Sequence, residues 1–153
     1  MIYLLIAAGV FTLDFFVKRY IDTHRKLMEE TPILKGKVVI RKYYNKGAAL
    51  NVLAKKPERM KQIQTVLMAA AGGSFFMLLQ RKGERGVKTA FAMLLGGGAS
   101  NLYDRFTKGH VVDYFSFRTR FKRLSGIIFN ISDFFVFFGA ALLVLFAKRD
   151  GGK

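Results

Sequence analysis

The chain contains no cysteine. Disulfides, zinc–thiolate centres and thiol nucleophiles are therefore excluded, as is lipid attachment to a cysteine of the protein itself. Histidine is nearly as scarce. His24 and His110 stand apart from each other and from any set of residues at metal-ligand spacing, so neither a metal site nor a cofactor is expected. Acidic residues are few, 10 against 26 Lys and Arg, and the formal net charge is +16. An excess of that size can signal nucleic acid, but no basic helix or aromatic platform stands apart from the apolar segments. Nucleic acid is accordingly not an expected partner. The basic side chains flank apolar runs, where they snorkel and attract anionic lipid headgroups.

Apolar sequence is abundant. The chain is 52% hydrophobic yet 24% charged, a combination that fits a small polytopic membrane protein with basic loops. The apolar runs cover about 1–17, 63–79, 87–103 and 126–147. A bilayer core takes roughly 20 helical residues, so four spans are predicted. The second is the weakest, because Gly72, Gly73 and Ser74 interrupt it. The 153 residues suit a single domain, 1–153. The first run has no Lys or Arg before it, and Lys18-Arg19-Tyr20 rather than a small-residue cleavage pattern after it; it reads as an uncleaved helix.

Four spans also sort the polar residues. By helix parity, residues 18–62 and 104–125 share one side of the membrane, and 80–86 and the C-terminal tail share the other. Asp14, Asn101, Asp104, Arg105, Asp113, Asn130 and Asp133 all fall near the first side. Lys and Arg are plentiful on both sides, so charge does not orient the chain. The connections on the first side are β-prone. Residues 38–44 alternate, run into the turn-like Asn45-Lys46-Gly47, and are followed by 48–53; residues 111–117 form a second such run.

An ionisable group at membrane depth costs a few kcal/mol and marks function by default. The 126–147 run places Asp133 about one to two turns inside the fourth span, roughly 10 Å along it. Asn130 shares its face. Asp113 lies in the connection leading back to that span. If the connection folds over the start of the helix, the two carboxyls can share one water and one proton. The charged member then takes a proton from water while the protonated member polarises a peptide carbonyl. Taken singly, Asp133 reads as a helix N-terminal acid and Asp113 as a loop acid paired with arginine. Asp14 and Lys18 stand four apart, the spacing of an internal ion pair. Arg105 suits a carboxylate of the site or a substrate carbonyl, or else a salt bridge with Asp104 or Asp14. The small-residue tract Gly96-Gly97-Gly98-Ala99-Ser100 gives either close helix packing or room for a substrate.

Five blocks occur in an order that resembles the lipoprotein signal peptidases (signal peptidase II). They are Asp14-Phe15-Phe16-Val17-Lys18, Asn45-Lys46-Gly47-Ala48-Ala49, Gly97-Gly98-Ala99-Ser100-Asn101-Leu102-Tyr103-Asp104-Arg105, Gly109-His110-Val111-Val112-Asp113-Tyr114, and Phe129-Asn130-Ile131-Ser132-Asp133. The resemblance covers nearly the whole chain. It implies an all-α membrane protein, a four-transmembrane-helix bundle with a small extracytoplasmic β-structured cradle, held in the bacterial cytoplasmic (inner) membrane. Both termini would be cytoplasmic and the active site would face outward. It implies an aspartic endopeptidase with Asp113 and Asp133 as the catalytic dyad, positioned by Asp14, Asn45, Asn101, Arg105 and Asn130, with Lys18 and Asp104 in support. The implied substrate is a diacylglyceryl-modified prolipoprotein, cut just before the lipidated Cys, with no metal and no cofactor; the protein is expected to be a monomer. Ser100, Ser132 and Leu50 depart from the family pattern, which more often has Gly, Ala and an aromatic there, yet no reactive group is lost.

Two other classes compete. A small proton-coupled transporter needs polar residues spread through the membrane thickness, whereas these gather near one face. A catalytically inactive paralogue that binds lipidated peptides would keep the same motifs, and a cleavage assay separates it from an enzyme.

Overall fold

Each of the four apolar runs becomes a helix, and the first three helices outgrow the runs that predict them. In the computed structural model, which describes residues 1–48 and 52–150, helix α1 (Ile2–His24) leads into strands β1 (Glu30–Ile33) and β2 (Val38–Asn45). Helices α2 (Pro57–Leu79) and α3 (Arg85–Lys108) follow, then strand β3 (Val111–Phe117), the single turn α4 (Lys122–Ser125) and helix α5 (Ile131–Asp150). The protein is mostly helical with one small antiparallel sheet. It divides into two compact units.

The first unit holds Met1–Asp14, Ile63–Asn101 and Ile131–Lys153. Its packing turns on three consecutive glycines of α3. A Cβ on Gly96 would stand 2.5 Å from the Ala7 carbonyl oxygen of α1; on Gly97, 2.6 Å from the Ser132 carbonyl oxygen of α5; on Gly98 it would run into the Met68 sulfur of α2. Gly96 and Gly97 thus admit α1 and α5 to backbone contact, which a side chain would prevent, and Gly98 leaves room for the Met68 side chain of α2. Of the two uses open to this tract, close helix packing is the one observed.

Burial in this unit is inverted relative to a water-soluble bundle. Asp14, Ser100, Asn101 and Ser132 are buried, while Leu4, Leu5, Leu13, Val66, Leu67, Phe76, Phe137 and Leu145 are exposed. An exposed apolar surface of that kind is what lipid would cover. Among the described residues, α2 is the one helix long and apolar enough to cross a membrane. The span expected to be weakest is therefore the clearest. Gly72, Gly73 and Ser74 do not break it, and Ser74 Oγ donates back to the Ala70 carbonyl at 2.9 Å, an internal bond that leaves the helix continuous. The stretch 131–146 of α5 is apolar but shorter. In α1, every eighteen-residue stretch includes Asp14, Lys18 and Arg19.

The second unit holds Phe15–Gln62 and Leu102–Asn130. Its sheet has the order β1-β2-β3, antiparallel throughout. Strand β1 is absent from the sequence reading, since Glu30-Thr31-Pro32-Ile33 is short, largely exposed and contains proline, as an edge strand tolerates. The expected second arm at 48–53 is not a strand where it is described. Residues 46–48 bend and 52–55 form turns, while 49–51 lie outside the described residues. Gly109 ends α3 with φ 75°, the left-handed cap that only glycine adopts freely, and turns the chain into β3.

The last long helix, α5, starts later than its apolar run. Phe129 pairs with Phe115 of β3, its N–H donating at 2.7 Å and its carbonyl accepting from Tyr114 and Phe115. These hydrogen bonds commit the backbone just before Asn130 to the sheet, so the helix begins at Ile131 instead of 126. Asp133 consequently sits in the first turn of α5, not one to two turns inside it. There the positive end of the helix dipole favours a carboxylate.

Candidate active site

The second unit holds Asp113 on β3, 1% exposed. Asn45 Nδ2 donates to its Oδ2 at 2.8 Å, and Asn130 Nδ2 donates to its Oδ1 at 2.7 Å. The orientation of the Asn45 amide is fixed independently, because its Oδ1 accepts the Gly47 N–H at 2.9 Å. The turn-like tripeptide therefore works as an Asx turn that aims a donor at Asp113. The carbonyl of Gly47 accepts from Arg105 Nη2. Arg105 thus holds the loop that carries Asn45. A side chain at position 47 would meet the Val52 carbonyl and stand 2.8 Å from the Ala54 nitrogen, so only glycine fits the turn.

In the same unit, Lys18 Nζ meets Asp104 Oδ2 at 3.3 Å, both side chains almost wholly buried. The other oxygen of Asp104 takes Lys108 at 3.2 Å, and Oδ2 also accepts the Val112 N–H at 3.2 Å. One carboxylate thereby ties α1, α3 and the start of β3 together. This network sits directly beside Asp113 in sequence.

The first unit holds Asp133, whose Oδ1 accepts from Asn101 Nδ2 at 3.0 Å. Asp14 lies in the same unit, 0% exposed, and its Oδ2 accepts the hydroxyls of Ser100 at 2.7 Å and Ser132 at 2.6 Å. Of the nine residues singled out from the sequence, Asp14, Asn101 and Asp133 are brought together in the first unit. Lys18, Asn45, Asp104, Arg105, Asp113 and Asn130 are brought together in the second. Each of the two candidate carboxyls is held by side-chain amides, which are neutral donors that orient a carboxyl without neutralising it.

A family model for signal peptidase (SPase) II matches residues 6–148. The chain belongs to the signal peptidase II family. Among its relatives, the lipoprotein signal peptidase of Halalkalibacterium halodurans is 30% identical over 153 residues, covering 100% of this chain and 96% of that protein. That of Pseudomonas aeruginosa is 30% identical over 155 residues, covering 99% and 91%. Two solved structures described as a bacterial membrane enzyme share the fold. The first has a TM-score of 0.82 at 22% identity, covering 97% of this chain and 88% of that one, and the second has a TM-score of 0.77 at 23% identity, covering 97% and 93%. As a member of the signal peptidase II family, the protein is a peptidase.

The sequence reading of this family member missed a second polar cluster. Asp22 Oδ1 meets Lys42 Nζ at 3.0 Å and accepts Tyr44 OH at 2.9 Å, and its Oδ2 meets Lys108 at 3.3 Å. A signal existed: Asp14, Lys18 and Asp22 recur every four residues on one face of α1, and Asp104 and Lys108 repeat that spacing on α3. A bulge in β2 also contributes, setting Arg41 and Lys42 against the single residue Tyr114. Burial opposes the charge of Asp22, but hydrogen bonds from Lys42, Tyr44 and Lys108 outweigh it and hold the carboxyl below its ordinary 3.8. Burial likewise opposes the Lys42 charge, and Asp22 and Tyr44 overcome it, raising the ammonium above 10.5. His110, stacked on Tyr44 at 4.0 Å between centroids, is pushed below 6.5 by burial.

These directions give a pH window for stability. The His110 contribution is complete above 6.5 and is lost as the pH falls through its lower folded value. That of Asp22 is complete above 3.8 and is lost as the pH falls through its own lowered value. That of Lys42 is complete below 10.5 and is lost as the pH rises through its raised value. Melting in detergent, followed by circular dichroism, is expected to be highest between about pH 7 and 10. Asp22→Asn removes the carboxyl that titrates below 3.8 and the partner that holds Lys42 above 10.5. Its decline at those two extremes should be shallower than the parent's, while the decline just below 6.5, set by burial of His110, remains. An equally steep decline at both extremes in that variant would contradict the assignment.

Proposed function

We propose that this peptidase is a lipoprotein signal peptidase of aspartic type, in which Asp113 and Asp133 act as one catalytic unit on a single water. The observation that carries the reading is the amide clamping of both carboxyls, Asp113 by Asn45 and Asn130 and Asp133 by Asn101. Residues 1–153 would serve as one peptidase domain.

In the proposed reaction one carboxyl is charged and the other protonated. The charged one removes a proton from water as its oxygen bonds to the scissile carbonyl carbon, and the protonated one gives its proton to the carbonyl oxygen. The resulting tetrahedral diol then collapses as the C–N bond breaks. The carboxyl that took the proton from water gives it to the leaving nitrogen, and the other carboxylate removes the proton of one diol hydroxyl, restoring the starting protonation. The side-chain amides hold each carboxyl in a fixed orientation, which lowers the orientational cost of the step.

The proposed substrate is a prolipoprotein carrying diacylglyceryl on its Cys, released with that Cys as its new N-terminus. Exposed apolar side chains on α1, α2 and α5 support a bilayer setting, read here as four spans in the bacterial cytoplasmic membrane. Both termini would be cytoplasmic, with the site on the outer side and anionic lipids around the basic flanks. The protein would act as a monomer.

Each buried methylene contributes about 0.8 kcal/mol, so two acyl chains would hold a mobile signal sequence at a fixed depth. Remote binding energy of this kind is used to position the reacting bond. Initial rates on diacylglyceryl-modified and unmodified prolipoprotein, at equal concentration in one detergent, should differ by at least about tenfold in favour of the modified form. Equal rates would replace this reading with a general membrane protease.

A further inference from the structure

Two serines converge on one oxygen of a fully buried carboxylate. Ser100 of α3 and Ser132 of α5 both donate to Asp14 Oδ2 of α1, at 2.7 and 2.6 Å, and their own exposures are 2% and 0%. Such lengths are those of hydroxyls bonded to a carboxylate, the stronger class of hydrogen bond. A buried carboxylate without donors is costly, so this oxygen holds three helices of the first unit in a fixed relation. Gly97 tightens the same junction, since it lies against the carbonyl of Ser132 with no room for a side chain.

The position of these serines in the chain gives the junction a second consequence. Ser100 immediately precedes Asn101, and Ser132 immediately precedes Asp133. Asn101 donates to Asp133 at 3.0 Å. The bond between α3 and α5 that orients Asp133 therefore lies one residue along each helix from the two bonds that meet on Asp14. Helical side chains need neither hydroxyl for local stability, because alanine is the better helix former at both positions. Their burial and shared acceptor are explained by registering the two helices.

We propose that Ser100 and Ser132 are positioning residues of the peptidase, which act through Asp14 to set the register of α3 against α5 and so aim Asp133. The inference rests on the reading of Asp133 as part of the reacting pair. Loss of one hydroxyl leaves the other bond to Asp14, and loss of both lets α3 and α5 shift by a fraction of an ångström. Displacement on that scale affects the chemical step far more than substrate binding.

The experiment compares Ser100→Ala, Ser132→Ala and the double variant with the parent on a diacylglyceryl-modified prolipoprotein. It measures kcat, KM and the folded fraction by circular dichroism, with Asp133→Asn alongside. Each single variant should lower kcat by about threefold and the double by at least about tenfold, per folded enzyme, with KM within about twofold of the parent. A parental kcat per folded molecule overturns the proposal, and so does a rise in KM alone, which would place the hydroxyls on the substrate. If the double variant does not fold, the singles decide by the same criteria. Retained cleavage by Asp133→Asn would instead overturn the reading on which the inference rests.

Discussion

Asp113→Asn and Asp133→Asn should each lower cleavage of a diacylglyceryl-modified prolipoprotein by more than about 1,000-fold while leaving a folded protein. The substitution is nearly isosteric. For Asp113 the amide still offers one oxygen to Asn45 or Asn130, and for Asp133 it still offers one to Asn101. What disappears is the exchangeable proton. Two carboxyls that share a proton act as a unit, so the double variant should be no worse than either single one. Circular dichroism and detergent gel filtration check folding, and a gel-shift assay reads cleavage. Retention of activity within tenfold in either variant would remove that aspartate from the chemistry.

Lys18→Met should cost about 3 kcal/mol of stability, toward the low end for breaking a buried ion pair. Asp104 keeps Lys108 and the Val112 N–H as partners, which limits the damage. Asp104→Leu should cost more, since it withdraws the carboxylate from both Lys18 and Lys108 at once. At roughly 2–4 °C per kcal/mol for a chain of this size, Lys18→Met lowers the melting temperature by roughly 6–12 °C. Unchanged melting in both variants would show that the pair is solvated and contributes nothing.

The helices were largely legible because apolar length is a strong signal, and the candidate site residues stand out because acids and amides are conspicuous among apolar neighbours. Strands at 111–117 and from 38 onward were equally legible from their β-branched and aromatic runs. Three features were hidden for identifiable reasons. The start of α5 was misplaced because Gly126 to Phe129 is apolar whether it enters a helix or, as here, pairs through Phe129 with β3. Strand β1 was missed because an exposed edge strand needs no alternation. The partners of Asp14 and Asp22 were missed because a tertiary hydrogen bond leaves no local pattern. Ser100 and Ser132 stood out only as departures from a resemblance, and their shared acceptor is visible only in three dimensions.

The two clamped aspartates are proposed to hydrolyse the peptide bond before a lipid-bearing cysteine. The most direct measurement is intact-mass analysis of the products formed by purified protein from a diacylglyceryl-modified prolipoprotein, run beside Asp113→Asn and Asp133→Asn. The expected products are a released signal peptide and a mature chain beginning at the lipidated Cys, formed by the parent and absent with both variants. A cut at any other bond, no cut by the parent, or the same products from either variant would contradict it.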